Sequence, residues 1–526
     1  MAQPDIKPPR PARLAPREWT FIAIVTVAWG VFTVVLGKET GWDFRNYHWY
    51  NAYAFLNGRL GFDVAVAHHA TYYNPLIDVP FYLLAGATSW AALFFVGALQ
   101  GLNIAPLYLM ARSSLLRDPQ YGGALLALIC ITGSTAISLT GATSYDTVLS
   151  VLVLSGLAIL VARRERLSLG AVMAAGVLMG SAVGLKLVEA PFAVGFAAAL
   201  LAIPGTAKTR ALRLSAGALG GLAGVALFGG FWFATLWSQT GNPLFPYFND
   251  WFGSPLALDA SYRDTRFVPG NVWEALVYPF RFSFHYAIAD DTPFGNLRVL
   301  AAYIAVPIAV LFWAFRRQAR DPMIDPTAAR ILFAFAGASY VAWIAVFAVY
   351  RYVVALEMLA PLLIVAAIGF IPVSLRARVT AIALVLAATA LMARYGFGPR
   401  ADISDPYVQA TRPPIASQER GMILMAGFEP MGFLVPSFPP QIPVLRIDGW
   451  LTSPHDGSAQ TASMKARVAA HSGDLFLLAA PYEQKRAAQA ASAYGLAIVE
   501  TECGNITTNL GGPYRFCPLI RVAPHD

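Results

Sequence analysis

Long apolar runs alternate with short polar clusters along this chain, and that alternation predicts most of its architecture. A helix needs about 20 apolar residues to cross the hydrocarbon core of a bilayer. Runs of that order or somewhat shorter lie at 19–36, 90–110, 121–140, 147–161, 169–185, 187–203, 214–237, 299–315, 331–349, 353–371 and 379–392. They predict an all-α polytopic membrane protein of about eleven transmembrane helices. The first run is followed by GKETGW, which lacks the small-x-small pattern of signal-peptide cleavage, so it reads as a span. Leu76–Ala87 is apolar but short and contains Asp78 and Pro80; it reads as a juxtamembrane helix in the outer interface.

After about residue 395 the pattern changes. Apolar stretches shorten to strand length (GMILMAG, PVLRID, GDLFLLAA), with one helix-like stretch, EQKRAAQAASAYG. The expectation is a leader over 1–18, disordered and cytoplasmic, then a transmembrane domain over 19–394 with large loops at 37–89 and 238–298. A small α/β domain follows over 395–526.

Composition sharpens this picture. The chain is 57% hydrophobic and 13% charged, whereas a soluble domain carries about 25% charged residues. The net charge of +8 does not point to nucleic acid, because the basic residues cluster in short connections between apolar runs. With the N-terminus inside, the inner connections hold twice as many Lys and Arg as the outer ones in about half the length. Eleven crossings then place the C-terminal domain outside the cytoplasmic membrane.

Of three cysteines, Cys130 lies in an apolar run and reads as a packing residue. Cys503 and Cys517 flank a turn-like TTNLGGPY in the tail, where an oxidising compartment favours a disulfide that staples a hairpin, against two free or buried thiols. No phosphate-cradling GxxxxGK[ST], CxxC, HExxH or GxSxG pattern is present.

The chemistry-bearing residues gather in the outer segments. The first loop opens GWDFRNYHWYNAYAFLNG. Asp43 there is either a helix cap or a reactive carboxylate. Asn46, Tyr47, Tyr50 and Asn51 would share a polar-aromatic helix face, and Ala52, Phe55 and Leu56 an apolar one; Trp42 and Trp49 suit an interfacial aromatic belt. The loop continues with His68, His69, Tyr72, Tyr73 and Asn74, and the second outer loop offers Asn242, Arg281, His285, Asp290, Asp291 and Arg298. Basic groups able to grip a phosphate, beside a carboxylate able to take a proton, suit a lipid-phosphate leaving group and a hydroxyl nucleophile. Charges near span ends add Lys186 with Glu189 and Arg351 with Glu357. Such charges are costly in a membrane, so each is functional or internally paired.

In the order of these features the chain resembles the GT-C superfamily of polytopic glycosyltransferases, in layout its ArnT/PMT-like members. An acid follows the first span at once (GWDFRNYHWY), TYYNPL leads into a juxtamembrane helix, TGNPLFPYFN opens a long second loop, and RYVVALEMLAPL begins a late span. The resemblance implies transfer of a sugar from a polyprenyl-phosphate donor to a glycan, lipid or protein acceptor, with inversion and with Asp43 as general base. Several members of that superfamily carry adjacent acids, whereas Asp43 stands alone, so a divalent cation as cofactor is left open. Arg45, His48, Tyr72, Lys186, Arg281, Arg298 and Arg351 are candidates for donor phosphate and sugar by chemistry and position. Tyr47, Asn74, Asn242, His285, Asp290, Asp291 and Glu357 complete the candidate set. The competing expectation is a transporter, favoured by the many spans and by breaks near Pro191 and Pro361, but without the internal repeat that many carriers show. A non-catalytic envelope-assembly protein would leave the Asp43 cluster unexplained.

Overall fold

The computed structural model describes residues 14–315, 317, 319–415 and 420–522. The part of the expected leader up to residue 13 lies outside these, and from Pro16 the chain is already helical. Among the described residues, six helices are long and apolar enough to cross a membrane: Pro16–Leu36, Ser89–Ser114, Asp146–Arg163, Ala207–Thr240, Pro326–Val346 and Tyr350–Gly369. Shorter apolar helices accompany them at Pro75–Ala87, Tyr121–Ile131, Leu169–Leu185, Leu187–Ala202 and Arg298–Ala314. The protein is thus a membrane protein whose helical part is followed by a small sheet domain.

Packing follows from small residues and full burial. Every residue of Val354–Gly369 is buried, so this helix forms the centre of the bundle. Leu169–Leu185 meets Ala207–Val225 backbone to backbone: a Cβ at Gly180 would lie 1.9 Å from the Gly221 carbonyl oxygen, and one at Gly176 2.4 Å from that of Gly217. The Gly176–Gly180–Gly184 spacing is therefore a helix-packing seam.

Two predicted spans are interrupted, each for a polar reason. The run at 90–110 breaks at Leu102–Asn103, where Gln100 and Asn103 donate to the carbonyls of Leu139 and Thr147 at 3.0 and 2.7 Å. The helix beginning at Tyr121 ends at Ile131 instead of continuing to 140. Just beyond, the Glu357 carboxylate accepts the Thr135 N–H at 2.9 Å and leaves no room for a side chain at Gly133. Eleven helical residues rise only about 16 Å at 1.5 Å each. The irregular stretch that follows is almost wholly buried in protein, the one situation in which non-helical backbone is tolerated at membrane depth.

Connecting segments sort to two ends of the bundle. At one end Arg112 pairs with Glu18 (2.8 Å), Arg164 with Asp325 (2.7 Å) and Arg378 with Asp321 (2.6 Å), and Leu116 N–H donates to Met323 O (3.0 Å). At the other end β1 (Lys38–Glu39) pairs antiparallel with β2 (Arg400–Ala401), and Glu39 accepts from Thr143. There too Gly295 and Arg394 exchange backbone hydrogen bonds.

The tail forms a seven-stranded sheet of β3 (Ala410–Thr411), β4 (Met422–Ala426), β5 (Val444–Asp448), β6 (Leu475–Ala479), β7 (Leu496–Ile498), β8 (Gly504–Thr508) and β9 (Gly511–Arg521). Its order is β3-β8-β9-β6-β4-β5 with β7 also on β9; β4 runs parallel to β5 and β6, and β9 runs antiparallel to its partners. A disulfide joins Cys503 to Cys517 beside the β8–β9 hairpin. One face of the sheet packs under helices Ala459–Ala470 and Gln484–Ser492. The other shares a core with the first outer loop: Ile423, Met425 and Val444 pack in one cluster with Phe44, Tyr50 and Val66. Asp63 seals this junction, held by Arg59 at 2.6 and 2.8 Å and accepting from Val444 N–H at 2.9 Å.

Candidate functional site

Four charged side chains converge at the end of the bundle that the tail covers, and each stands where a helix starts or breaks. Asp43 opens a π-turn, Phe44–His48, which runs on into helix Trp49–Leu56; such turns are frequent at functional sites. Its side chain makes no capping bond; Asp43 stands in the first helical turn as an acid whose side chain is left to Arg351. Asp146 heads its helix after Tyr145, a non-glycine residue at φ +61°. Lys186 is extended between helix Leu169–Leu185 and a 3-10 turn. Arg351 lies in the 3-10 turn Tyr350–Val353, after Ala348 at φ +52°.

Arg351 Nη1 stands 3.3 Å from Asp43 Oδ2, and its Nε is 4.0 Å from Asp146 Oδ2. Lys186 Nζ binds Asp146 Oδ1 at 2.5 Å and the Ser144 carbonyl at 2.8 Å. Both cations lie over the Tyr352 ring, at 5.4 and 5.5 Å. Asp146 is fully buried, whereas the Asp43, Lys186 and Arg351 side chains keep 18%, 19% and 23% of their surface open. Asp290 supports the cluster from the second outer loop, accepting the N–H groups of Arg351 and Thr292 at 2.8 and 2.9 Å. Burial raises its carboxyl above the usual range, against the pull of Arg351.

A second layer lies behind. His48 Nδ1 meets Asp78 Oδ1 at 2.6 Å with both side chains buried. Burial pushes His48 well down and Asp78 well up, so desolvation opposes the charged form of each. Tyr47 packs edge-on to Tyr73, whose hydroxyl is 2.5 Å from that of Tyr247. The buried atoms His48 Nε2, Ser144 Oγ, Tyr145 OH, Asp146 Oδ2 and Arg351 Nε have no hydrogen-bond partner among the described residues. Unsatisfied groups of this kind are rare in folded proteins, and together they mark a polar site.

The remaining candidates lie elsewhere or carry structure. Arg45 ties the first loop to the tail through Glu429 (3.0 Å) and Tyr514 (2.9 Å). The Tyr72 hydroxyl reaches Gln460 at 3.3 Å. Asn74 clamps the Gly184 and Phe228 carbonyls at 2.9 and 2.7 Å, and Asn242 organises its own turn by accepting from Leu244 N–H. Arg298 is buried, donating to the Ile129 and Cys130 carbonyls at the end of the shortened helix. Glu357 serves Thr135, not Arg351. Arg281 and His285 are exposed, and Asp291 pairs on the surface with Arg266. Lys186 pairs with Asp146 rather than Glu189. In the opening helix Asn46, Tyr47, Tyr50 and Asn51 are buried while Phe55 and Leu56 are exposed. Trp49 lies buried between Tyr82 and Tyr407, not in an interfacial belt.

Sequence reasoning missed Asp146. Its signal was present, an acid directly at the boundary of the apolar run 147–161, but the connection holding it is short. Asp78 was read only as a polar residue of the juxtamembrane helix; the fold brings it to His48. Among the described residues no three His, Cys, Asp or Glu side chains group as a metal site, and Asp43 and Asp146 are each already held by a cation. Compared with known proteins, the chain matches no family model, no curated protein and no solved structure.

Proposed function

We propose that this protein is an inverting glycosyltransferase of GT-C type, moving a sugar from a polyprenyl-phosphate donor to an acceptor hydroxyl at the outer face of the cytoplasmic membrane. The observation that carries this reading is the partly open Asp43–Arg351 pair, buttressed by Lys186 and Asp146 at the loop-covered end of the bundle. In the proposed topology eleven helices cross, with the N-terminus inside. The first outer loop and the tail meet at one end of the bundle, which requires an even number of crossings between them and supports an odd total.

The reaction uses the network as follows. A donor enters from the bilayer, and its phosphate oxygens take Arg351 and Lys186 as partners through charge-assisted hydrogen bonds. Arg351 thereby loosens its hold on Asp43. The freed carboxylate takes the proton of the acceptor hydroxyl as that oxygen bonds to the anomeric carbon from the face opposite the phosphate. The bond from that carbon to the phosphate oxygen breaks, and polyprenyl phosphate leaves with the electron pair, its negative charge balanced by the two cations. No step is assigned to a divalent cation.

The test is sugar transfer in membranes supplied with mixed polyprenyl-phosphate sugars, comparing the wild type with Asp43→Asn at equal folded amounts. Loss of a general base lowers turnover about a hundredfold or more, while donor binding persists. Undiminished transfer by Asp43→Asn would remove Asp43 from the mechanism. Absence of transfer by the wild type, with uptake of solute into proteoliposomes, would favour the transporter.

A further inference from the structure

The carboxyl ends of the tail's parallel strands lie against the first loop, where Trp450 meets Trp42 and His68. Strands β4, β5 and β6 are parallel, with β4 between the other two. From β4 the chain moves to one side to form β5, then crosses to the other side for β6, so its direction reverses at β4. In open α/β sheets ligands bind outside the carboxyl ends of the strands at such a reversal. Those ends carry Phe428 and Glu429 after β4, Trp450 after β5, and Tyr482 after β6.

Trp450 is 49% exposed, yet it is firmly held. Its backbone N–H donates to the buried His68 Nδ1 at 3.2 Å. Its ring lies 5.0 Å from Trp42, 4.9 Å from His68 and 5.7 Å from Phe428. Planar charged groups border this aromatic surface: Arg486 lies over Phe428 and pairs with Asp448, and Glu429 is held by Arg45 and Tyr482. Continuity with the proposed centre is direct, since Trp42 precedes Asp43. His69, 6.2 Å from Trp450, also lies within electrostatic reach of Asp43.

We infer that the Trp42–Phe428–Trp450 surface is a sugar-binding subsite, and hence that the acceptor is a glycan. The identification as acceptor rests on the transferase reading above; the binding of a sugar ring does not. A pyranose presents C–H groups on one face and hydroxyls around its edge. An aromatic face takes the first, and bidentate carboxylates and guanidinium groups take the second. A lipid chain would use the aromatic surface alone, whereas a sugar also meets the polar border formed by the Asp448–Arg486 pair and by Glu429. Because Trp450 is fixed before the ligand arrives, little ordering opposes binding.

The experiment uses the full chain in nanodiscs on a glycan array of hexose, pentose, amino-sugar and uronic-acid oligosaccharides. The wild type retains at least one class, and Trp450→Ala weakens that binding about tenfold, the loss expected for a central aromatic anchor. Trp450→Tyr keeps most of the affinity. Trp450→Leu behaves as Ala does and replaces it should the Ala variant not fold. Trp251→Ala, on the far side of the second outer loop's turn, changes nothing. Retention of no glycan by the wild type, or unchanged retention by Trp450→Ala and Trp450→Leu, overturns the inference. Sugar transfer from polyprenyl-phosphate donors, measured on the same samples, separates the two readings. Transfer without glycan retention leaves the transferase and removes the subsite; Trp450-dependent retention without transfer leaves a carbohydrate-binding site and removes the transferase.

Discussion

The two ends of the helix bundle treat charge in opposite ways. At one end Arg112, Arg164 and Arg378 each have their own acid, Glu18, Asp325 and Asp321, in short one-to-one contacts. At the other, Arg351 reaches two carboxylates and Asp146 two cations, so that Arg351, Lys186, Asp43 and Asp146 form a shared chain with open edges. Such pairs fasten connections, and further bonds lock them in place: Glu18 also accepts from Tyr108, and Asp325 from Ala328 N–H. A shared chain can give up one contact and keep the others, which is what a site needs if it is to exchange an internal partner for a ligand. Within and beside that chain, as elsewhere in the molecule, lie buried polar atoms without a hydrogen-bond partner among the described residues, here His48 Nε2, Ser144 Oγ, Tyr145 OH, Asp146 Oδ2 and Arg351 Nε, and the left-handed residues Tyr145 and Ala348; local strain of that kind persists only where surrounding structure enforces it.

Breaking the shared chain is expected to have the largest effect. Arg351→Ala and Lys186→Ala each remove a cation facing the donor phosphate, and transfer falls about a hundredfold or more. Arg351→Lys keeps the charge but loses the planar fork, and retains only about a tenth of the activity. Steady-state transfer with donor titration checks both; a change confined to stability would place these residues with the fastening pairs.

Breaking a fastening pair is the matched control. Arg164→Ala leaves Asp325 without its cation and lowers stability by roughly 3 kcal/mol, read in a thermal melt in detergent. Transfer per folded molecule stays at the wild-type value. Lost transfer in a fully folded Arg164→Ala protein would mean that the two ends are functionally coupled.

A smaller effect is expected from pH. Burial among aromatic rings pushes His69 down from 6.5 to about 4, with Asp264 and Asp43 opposing the shift. Between those values the unfolded chain binds a proton that the folded chain does not. Stability from this group is therefore present above 6.5 and lost as pH falls through the window. His69→Gln is expected to flatten the dependence of Tm on pH there. An unchanged slope would show that His69 titrates normally.

The smallest effect belongs to Arg281→Ala and His285→Ala. Both side chains are exposed on the second outer loop, and transfer is expected to remain within about twofold, as for surface substitutions generally.

Why the sequence reveals some of this and not the rest is a matter of range. Hydrophobic periodicity is local, and the run at 147–161 became the helix Asp146–Arg163 almost residue for residue. The run at 90–110 lies within the helix Ser89–Ser114, which carries a turn where Asn103 bonds the Thr147 carbonyl; the run at 121–140 was overestimated, because Glu357, far along the chain, accepts the Thr135 amide just beyond the shortened helix. The same limit applies to the site. Asp43, Lys186 and Arg351 stand out as charges at apolar boundaries, and the fold brings them together. Arg298 occupies an identical boundary, yet its guanidinium is taken by the Ile129 and Cys130 carbonyls. Nothing in the local pattern distinguishes an arginine facing a site from one closing a broken helix. Asn74 and Asn242 read as site residues for the same reason and prove to be turn builders. The pairing of His48 with Asp78 depends on how a loop folds back, which hydropathy does not encode.

The most direct test of the contrast between the two ends sets Asp43→Asn beside Asp325→Asn, both isosteric and both removing the carboxylate partner of one arginine. Sugar transfer from polyprenyl-phosphate donors is measured per folded molecule, with melting temperature recorded for each. The expected result is transfer lost in Asp43→Asn at near-normal stability, and transfer kept in Asp325→Asn at reduced stability. Equal transfer by the two variants would contradict the assignment of the reactive chemistry to the Asp43 end.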